Sequence, residues 1–186
     1  MRHYLDLAVG VLSAPVSTLE NVTKEIRPGP AALVYVVAST ITILGSTLTA
    51  RIALPLPTPL HLRVILGVPL GLLGMLLYTA ALHLTARLLG GRGRAAGLFA
   101  GLAFSLLPGV LWGPFVFAMR AAPASFSHLV TAVVAGWILI LQVLTIQACH
   151  GFAARRALVV LFFSLLVLAA LIILGVTLGA GALFKI

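Results

Sequence analysis

The sequence predicts an all-α integral membrane protein: a bundle of five transmembrane helices preceded by an amphipathic interfacial segment. Three observations carry this. Of 186 residues, 62% are hydrophobic and 8% charged, with a mean hydropathy of +1.22; soluble domains carry about 25% charged residues because their surface must face water. Five stretches reach the roughly 20 apolar residues needed to cross about 30 Å of hydrocarbon. The links between them are short, which makes successive helices run antiparallel in a single compact unit.

The first 28 residues do not read as a signal peptide, because Asp6 interrupts the apolar run and no A-x-A site follows. They carry one apolar stripe at helical spacing, through Tyr4, Ala8, Val11, Leu12, Val16, Leu19, Val22 and Ile26. The pattern predicts an amphipathic segment over 1–28, lying in the interface or packed on the base of the bundle. Pro15 divides it, and Ser17-x-x-Glu20 is expected to cap the second piece. The transmembrane domain follows over 29–186, with spans at about 31–50, 64–86, 95–119, 129–149 and 157–184. Pro55, Pro57 and Pro59 break the chain after the first span. Gly90-Gly91-Arg92-Gly93-Arg94 turns it after the second, Pro123 after the third and Gly151 after the fourth.

Orientation follows from the basic residues. Arg2, Lys24, Arg27, Arg87, Arg92, Arg94, Arg155 and Arg156 fall on one side, against Arg51, Arg63, Arg120 and Lys185 on the other. The bias predicts a cytoplasmic N-terminus and an outside C-terminus. Ten arginines against two lysines, with abundant Ala, Leu and Gly, suit a GC-rich prokaryotic genome, so the expected location is a prokaryotic cytoplasmic membrane.

Polar groups at membrane depth are the place to look for function. Hydroxyls of the first span (Ser39, Thr40, Thr42, Ser46, Thr47, Thr49) are expected to bond to their own helix, and Gly67, Gly71 and Gly74 of the second to mark close helix contact. Pro108 and Pro114 predict kinks in the third span. Gln142, Gln147, Cys149 and His150 cluster at the end of the fourth. His83, at matching depth in the second, forms a candidate polar cluster with Gln147 and His150 if the two helices meet. The favoured reading is an interhelical hydrogen-bond network; a metal or proton-relay site is the weaker one.

Several classes are excluded. A net charge of +9 suggests nucleic acid in a soluble protein, but here the basic residues are scattered between apolar runs, so no nucleic-acid partner is expected. One cysteine excludes an internal disulfide and CxxC chemistry. No HExxH, paired-carboxylate or zinc-finger spacing occurs, so no cofactor, metal or catalytic residue is assigned. Cys149 beside His150 is no nucleophile–base pair, since neighbours on a helix point about 100° apart.

Together these landmarks resemble the Yip1 domain family of five-span membrane proteins. The resemblance rests on Pro15 and Thr18 in the lead-in and Ile26 before the first span. It continues through Gly90-Gly91-Arg92-Gly93 after the second, Pro108 in the third, Trp137 in the fourth, then His150-Gly151 and Arg155-Arg156-Ala157. It implies five spans with a cytoplasmic N-terminus. Eukaryotic proteins of this kind sit in Golgi and endoplasmic-reticulum membranes and associate with Rab-type GTPases and with each other. They carry a longer polar N-terminal region than this sequence shows, so the resemblance is to the short prokaryotic branch, and the GTPase partnership is not carried over.

The expected function is a non-enzymatic membrane scaffold or adaptor, self-associating or binding membrane partners or lipids, with Arg92, Arg94, Arg155 and Arg156 as contact candidates. The alternative is a small oligomeric channel or transporter that uses the kinked third span and the polar end of the fourth.

Overall fold

The computed structural model describes residues 2–25, 27–49, 59–118 and 124–183. Ile26, Arg51, Pro55, Pro57, Arg120, Pro123 and Lys185, named above, lie outside the described residues. So do the side chains of Arg2, Ser46, Thr47 and Thr49.

The elements are all helical: α1 (Arg2–Ser13), α2 (Pro15–Glu25), α3 (Pro28–Thr49), α4 (Leu60–Leu88), α5 (Ala95–Ser105), α6 (Pro108–Ala118), α7 (Ala124–His150) and α8 (Ala154–Leu183). Five stretches are long and apolar enough to span a membrane: α3, α4, α5 with α6, α7 and α8. The chain is an all-α, multi-pass membrane protein.

The helices extend a few residues beyond the apolar runs. Pro28 opens α3, where a missing N–H costs nothing. The 29 residues of α4 enclose Arg63 near one end and Arg87 near the other. At 1.5 Å per residue the helix is about 43 Å long, so it projects beyond the hydrocarbon or tilts within it.

The third span is broken. α5 stops at Ser105, and Leu107 and Gly109 donate i→i−3 bonds to Phe104 and Leu106, a tighter wind than the α-helix. Pro108 has no N–H to continue the ladder and opens α6. Pro114 lies inside α6 and Pro69 inside α4; both helices run through their prolines.

α5 is the centre of the bundle, packed on α2, α3, α4 and α7. Small residues (Gly97, Ala100, Gly101, Ala103, Ser105) alternate with Leu98, Phe99, Leu102 and Phe104, and all nine are buried. Small side chains let backbones approach, which is how helices associate where lipid competes for every apolar contact. Elsewhere α3 meets α6 at Gly45 and Gly113, where a Cβ on either would come within 2.9 Å of the other's Cα. Of the second-span glycines, Gly67 faces Ile43 and Gly71 faces Tyr35, but Gly74 faces open space. Thr40 and Thr42 donate to Val36 and Ala38 one turn back, within their own helix.

α2 is part of the core. Leu19 and Val22 are fully buried against α5 and α7, with Thr18 and Thr23 beside them, while Glu20, Asn21, Lys24 and Glu25 stay exposed. The chain bends at Ala14–Pro15, sharply enough that a Cβ on Gly10 would touch Thr18. The expected Ser17 cap does not form. α2 starts two residues earlier at Pro15, and the Ser17 hydroxyl donates to the Ala14 carbonyl instead.

Candidate functional site

One end of the bundle gathers the residues that the sequence singles out. α3, α5 and α8 begin there, and α4 and α7 end there. It is called the basic end below, for Lys24, Arg27, Arg87, Arg92, Arg94, Arg155 and Arg156, all exposed.

The Gly90–Gly93 turn is shaped by its neighbours. Gly90 has φ +86°, and the Gly91 and Gly90 N–H groups donate to Ala86 and Arg87, closing α4 with a Schellman motif. Gly91 and Gly93 serve close approach instead. A Cβ on Gly91 would come within 2.7 Å of the His150 ring and 2.9 Å of Phe152, and one on Gly93 would overlap Cys149. The α4–α5 turn therefore lies directly on the α7–α8 turn. There Gly151, at φ +69°, donates to Gln147 and ends α7.

Two side-chain bonds tie this junction to its surroundings. The Arg94 guanidinium donates to the Lys24 carbonyl of α2 at 3.3 Å, and the Cys149 thiol donates to the Arg94 carbonyl at 3.4 Å. Arg94 is thus held by hydrogen bonds rather than by an ion pair. No carboxylate pairs with any of the six arginines among the described residues; Lys24 lies 3.8 Å from Glu20 on its own helix.

Of the three candidate cluster residues, two meet. His83 Nδ1 and His150 Nε2 are 3.4 Å apart, linking α4 to α7. The His150 ring also stacks on Phe152, with centroids 5.8 Å apart and planes 20° apart. Gln147 turns away and donates to the Phe152 carbonyl at 3.5 Å. His150 is buried, and its Nδ1 has no partner among the described residues. Cys149 and His150 point to different neighbours, as adjacent helical positions must. No group of three or more His, Cys, Asp or Glu gathers among the described residues.

Several polar contacts have no single-residue signal in the sequence. Tyr78 donates to Gln142 at 2.9 Å between α4 and α7, and Ser164 donates to Thr85 at 3.1 Å between α8 and α4. Trp112 donates to Thr131 at 2.8 Å between α6 and α7. Each needs the helix order before either partner can be chosen.

The family model for the Yip1 domain matches residues 9–176, from α1 into α8. The chain belongs to the Yip1 domain family. Neither the curated proteins nor the solved structures compared with it yield a match. Within this Yip1 domain, the Gly-Gly-x-Gly turn and the His-Gly step that ends α7 are two halves of one contact. Their glycines are set by φ at Gly90 and Gly151 and by direct backbone approach at Gly91 and Gly93.

Proposed function

We propose that this Yip1-family protein is a non-enzymatic membrane scaffold whose basic end faces the cytoplasm and binds anionic headgroups or acidic surfaces of membrane partners. The observation that carries this reading is the placement of its arginines. Arg155 and Arg156 sit in the first turn of α8, Arg94 immediately precedes α5 and Arg27 precedes α3. The helix macrodipole disfavours cations at a helix N-terminus by about 0.3–1 kcal/mol each. No carboxylate pairs with them among the described residues, which leaves them open to counter-charge from outside the protein. An anionic leaflet offers it at about 1 kcal/mol per basic residue.

The test is capture of the protein, held in neutral-lipid nanodiscs, by vesicles containing anionic lipid. Replacing Arg92, Arg94, Arg155 and Arg156 together by Gln is expected to abolish capture at low salt. Wild-type capture is expected to fall as salt rises to about 1 M, where the Debye length shrinks to about 3 Å. Capture that ignores both salt and the arginines sinks the proposal.

We read the His83–His150 contact as an interhelical hydrogen bond between α4 and α7. The second reading, an oligomeric channel or transporter, is favoured by the break at Leu106–Leu107 in the middle of a span. It ranks lower because the residues flanking that break, Phe104, Ser105 and Pro108, are buried in packing. Solute flux into liposomes that a Gln147→Leu/His150→Leu variant loses reverses the ranking.

A further inference from the structure

We propose that the cleft between α1, α3 and α6 holds a single acyl chain of an anionic phospholipid, whose headgroup lies against Arg27. The cleft has a volume of about 580 Å³, and every side chain lining it is apolar or aromatic. Leu5 and Val9 form the α1 wall, Leu33 and Val37 the α3 wall, and Val110 and Leu111 the α6 wall, with Leu107 of the preceding break beside them. α1 is anchored on α2 and more lightly on α5, which leaves its other side to the cleft.

Depth and shape select the occupant. The α3 and α6 walls belong to membrane spans, so the filling material is hydrocarbon, not water. Along α3 the cleft runs from Pro30 to Ile41, ~16 Å at 1.5 Å per residue. One leaflet of a hydrocarbon core about 30 Å thick is ~15 Å deep, the depth that a lipid tail occupies. The shallow end is charged. Arg27 is exposed, and its carbonyl accepts from the Ala31 N–H, so it begins the turn of α3 that carries Pro30. Arg27, three residues before the cleft-lining Pro30, is the cation this proposal sets against the phosphate.

This inference rests on the proposed orientation, in which the basic end meets the headgroups. It is tested in phosphatidylcholine vesicles containing the full chain and a little phosphatidylglycerol with a photoreactive group at mid-tail, the labelled residues being mapped by peptide mass. Labelling is expected to concentrate on Leu5–Val9 and Leu33–Val37, above the level at Leu70, which is lipid-facing and outside the cleft. Filling the cleft with Val37→Trp and Val110→Trp lowers that labelling about tenfold, while Leu70→Trp leaves it unchanged. Arg27→Gln removes the preference for phosphatidylglycerol over phosphatidylcholine as competitor.

Labelling spread evenly over α3, α4 and α8 overturns the proposal even if the filled variant fails to fold, because the wild-type map alone decides it. Cross-links from α1 to a second copy overturn it in favour of a dimer, and an unchanged preference in Arg27→Gln overturns the headgroup assignment. The four-arginine variant distinguishes this from the scaffold reading: it loses salt-sensitive capture while its cleft labelling persists.

Discussion

From Gly97 to Ser105 every residue of α5 is buried, whereas from Leu165 to Thr177 α8 exposes nearly every one, although α8 is the more apolar span. The third span is 56% buried and the fifth 22%. In water the more apolar helix would take the core. In a bilayer the tails solvate leucine as well as a protein interior does, so apolarity selects the membrane without selecting the centre of the bundle. α5 wins the centre with Gly97, Ala100, Gly101 and Ala103, which let α2 and α7 come close. α8 is buried where Ala157, Val160, Leu161 and Ser164 form a stripe at helical spacing, and from Leu165 to Thr177 its side chains are nearly all exposed.

The sharpest way to break this comparison is to put bulk into α5. Gly101→Leu drives a side chain into Thr145 of α7 and Thr23 of α2, and is expected to cost about 3 kcal/mol or more by overpacking. Denaturant unfolding in mixed micelles would show it as a lowered midpoint. A midpoint equal to wild type would mean that α5 is not the packing centre. Next comes the turn on which α5 depends. Gly90→Ala places a Cβ at φ +86°, with an expected loss of about 1–2 kcal/mol in the same assay.

Smaller still is the polar link between α4 and α7. Tyr78→Phe removes the bond to Gln142, and membrane hydrogen bonds of this kind average about 0.6 kcal/mol. A larger loss would show that the second and fourth spans are held by polar contacts more than by shape. At the bottom of the scale, Ile172→Ala on the C-terminal half of α8 is expected to shift stability by no more than about 0.5 kcal/mol. A core-sized loss there would reveal a partner that covers this surface.

Much of the architecture is legible in the sequence because the bilayer imposes it. A 30 Å core requires runs of about 20 apolar residues, and five helical stretches among the described residues are long and apolar enough to meet that requirement. The third was legible as interrupted, because Pro108 cannot donate; that Pro114 is carried within α6 depends on neighbours that no local rule names. The Gly90–Gly93 turn was legible as a turn. That Gly91 and Gly93 are vacant to admit His150, Phe152 and Cys149 was not, because those residues lie more than fifty positions away. The candidate cluster divided for the same reason. His83 and His150 reach one another across α4 and α7 because both helices pack on α5 and α8, but the Gln147 amide finds the Phe152 carbonyl, a partner supplied by a turn.

The sequence by itself determined the membrane, the number of spans, the bend at Pro15 and the gathering of arginines at one end. Each follows from properties a residue carries wherever it sits: apolarity over a fixed thickness, a missing amide hydrogen, a fixed charge. Only the tertiary structure decided that α5 is central, that α2 belongs to the core, and that α1 stands off across a cleft. In lipid those choices turn on which small residues of two distant helices come face to face, as Gly45 and Gly113 do, and that information belongs to pairs rather than to positions.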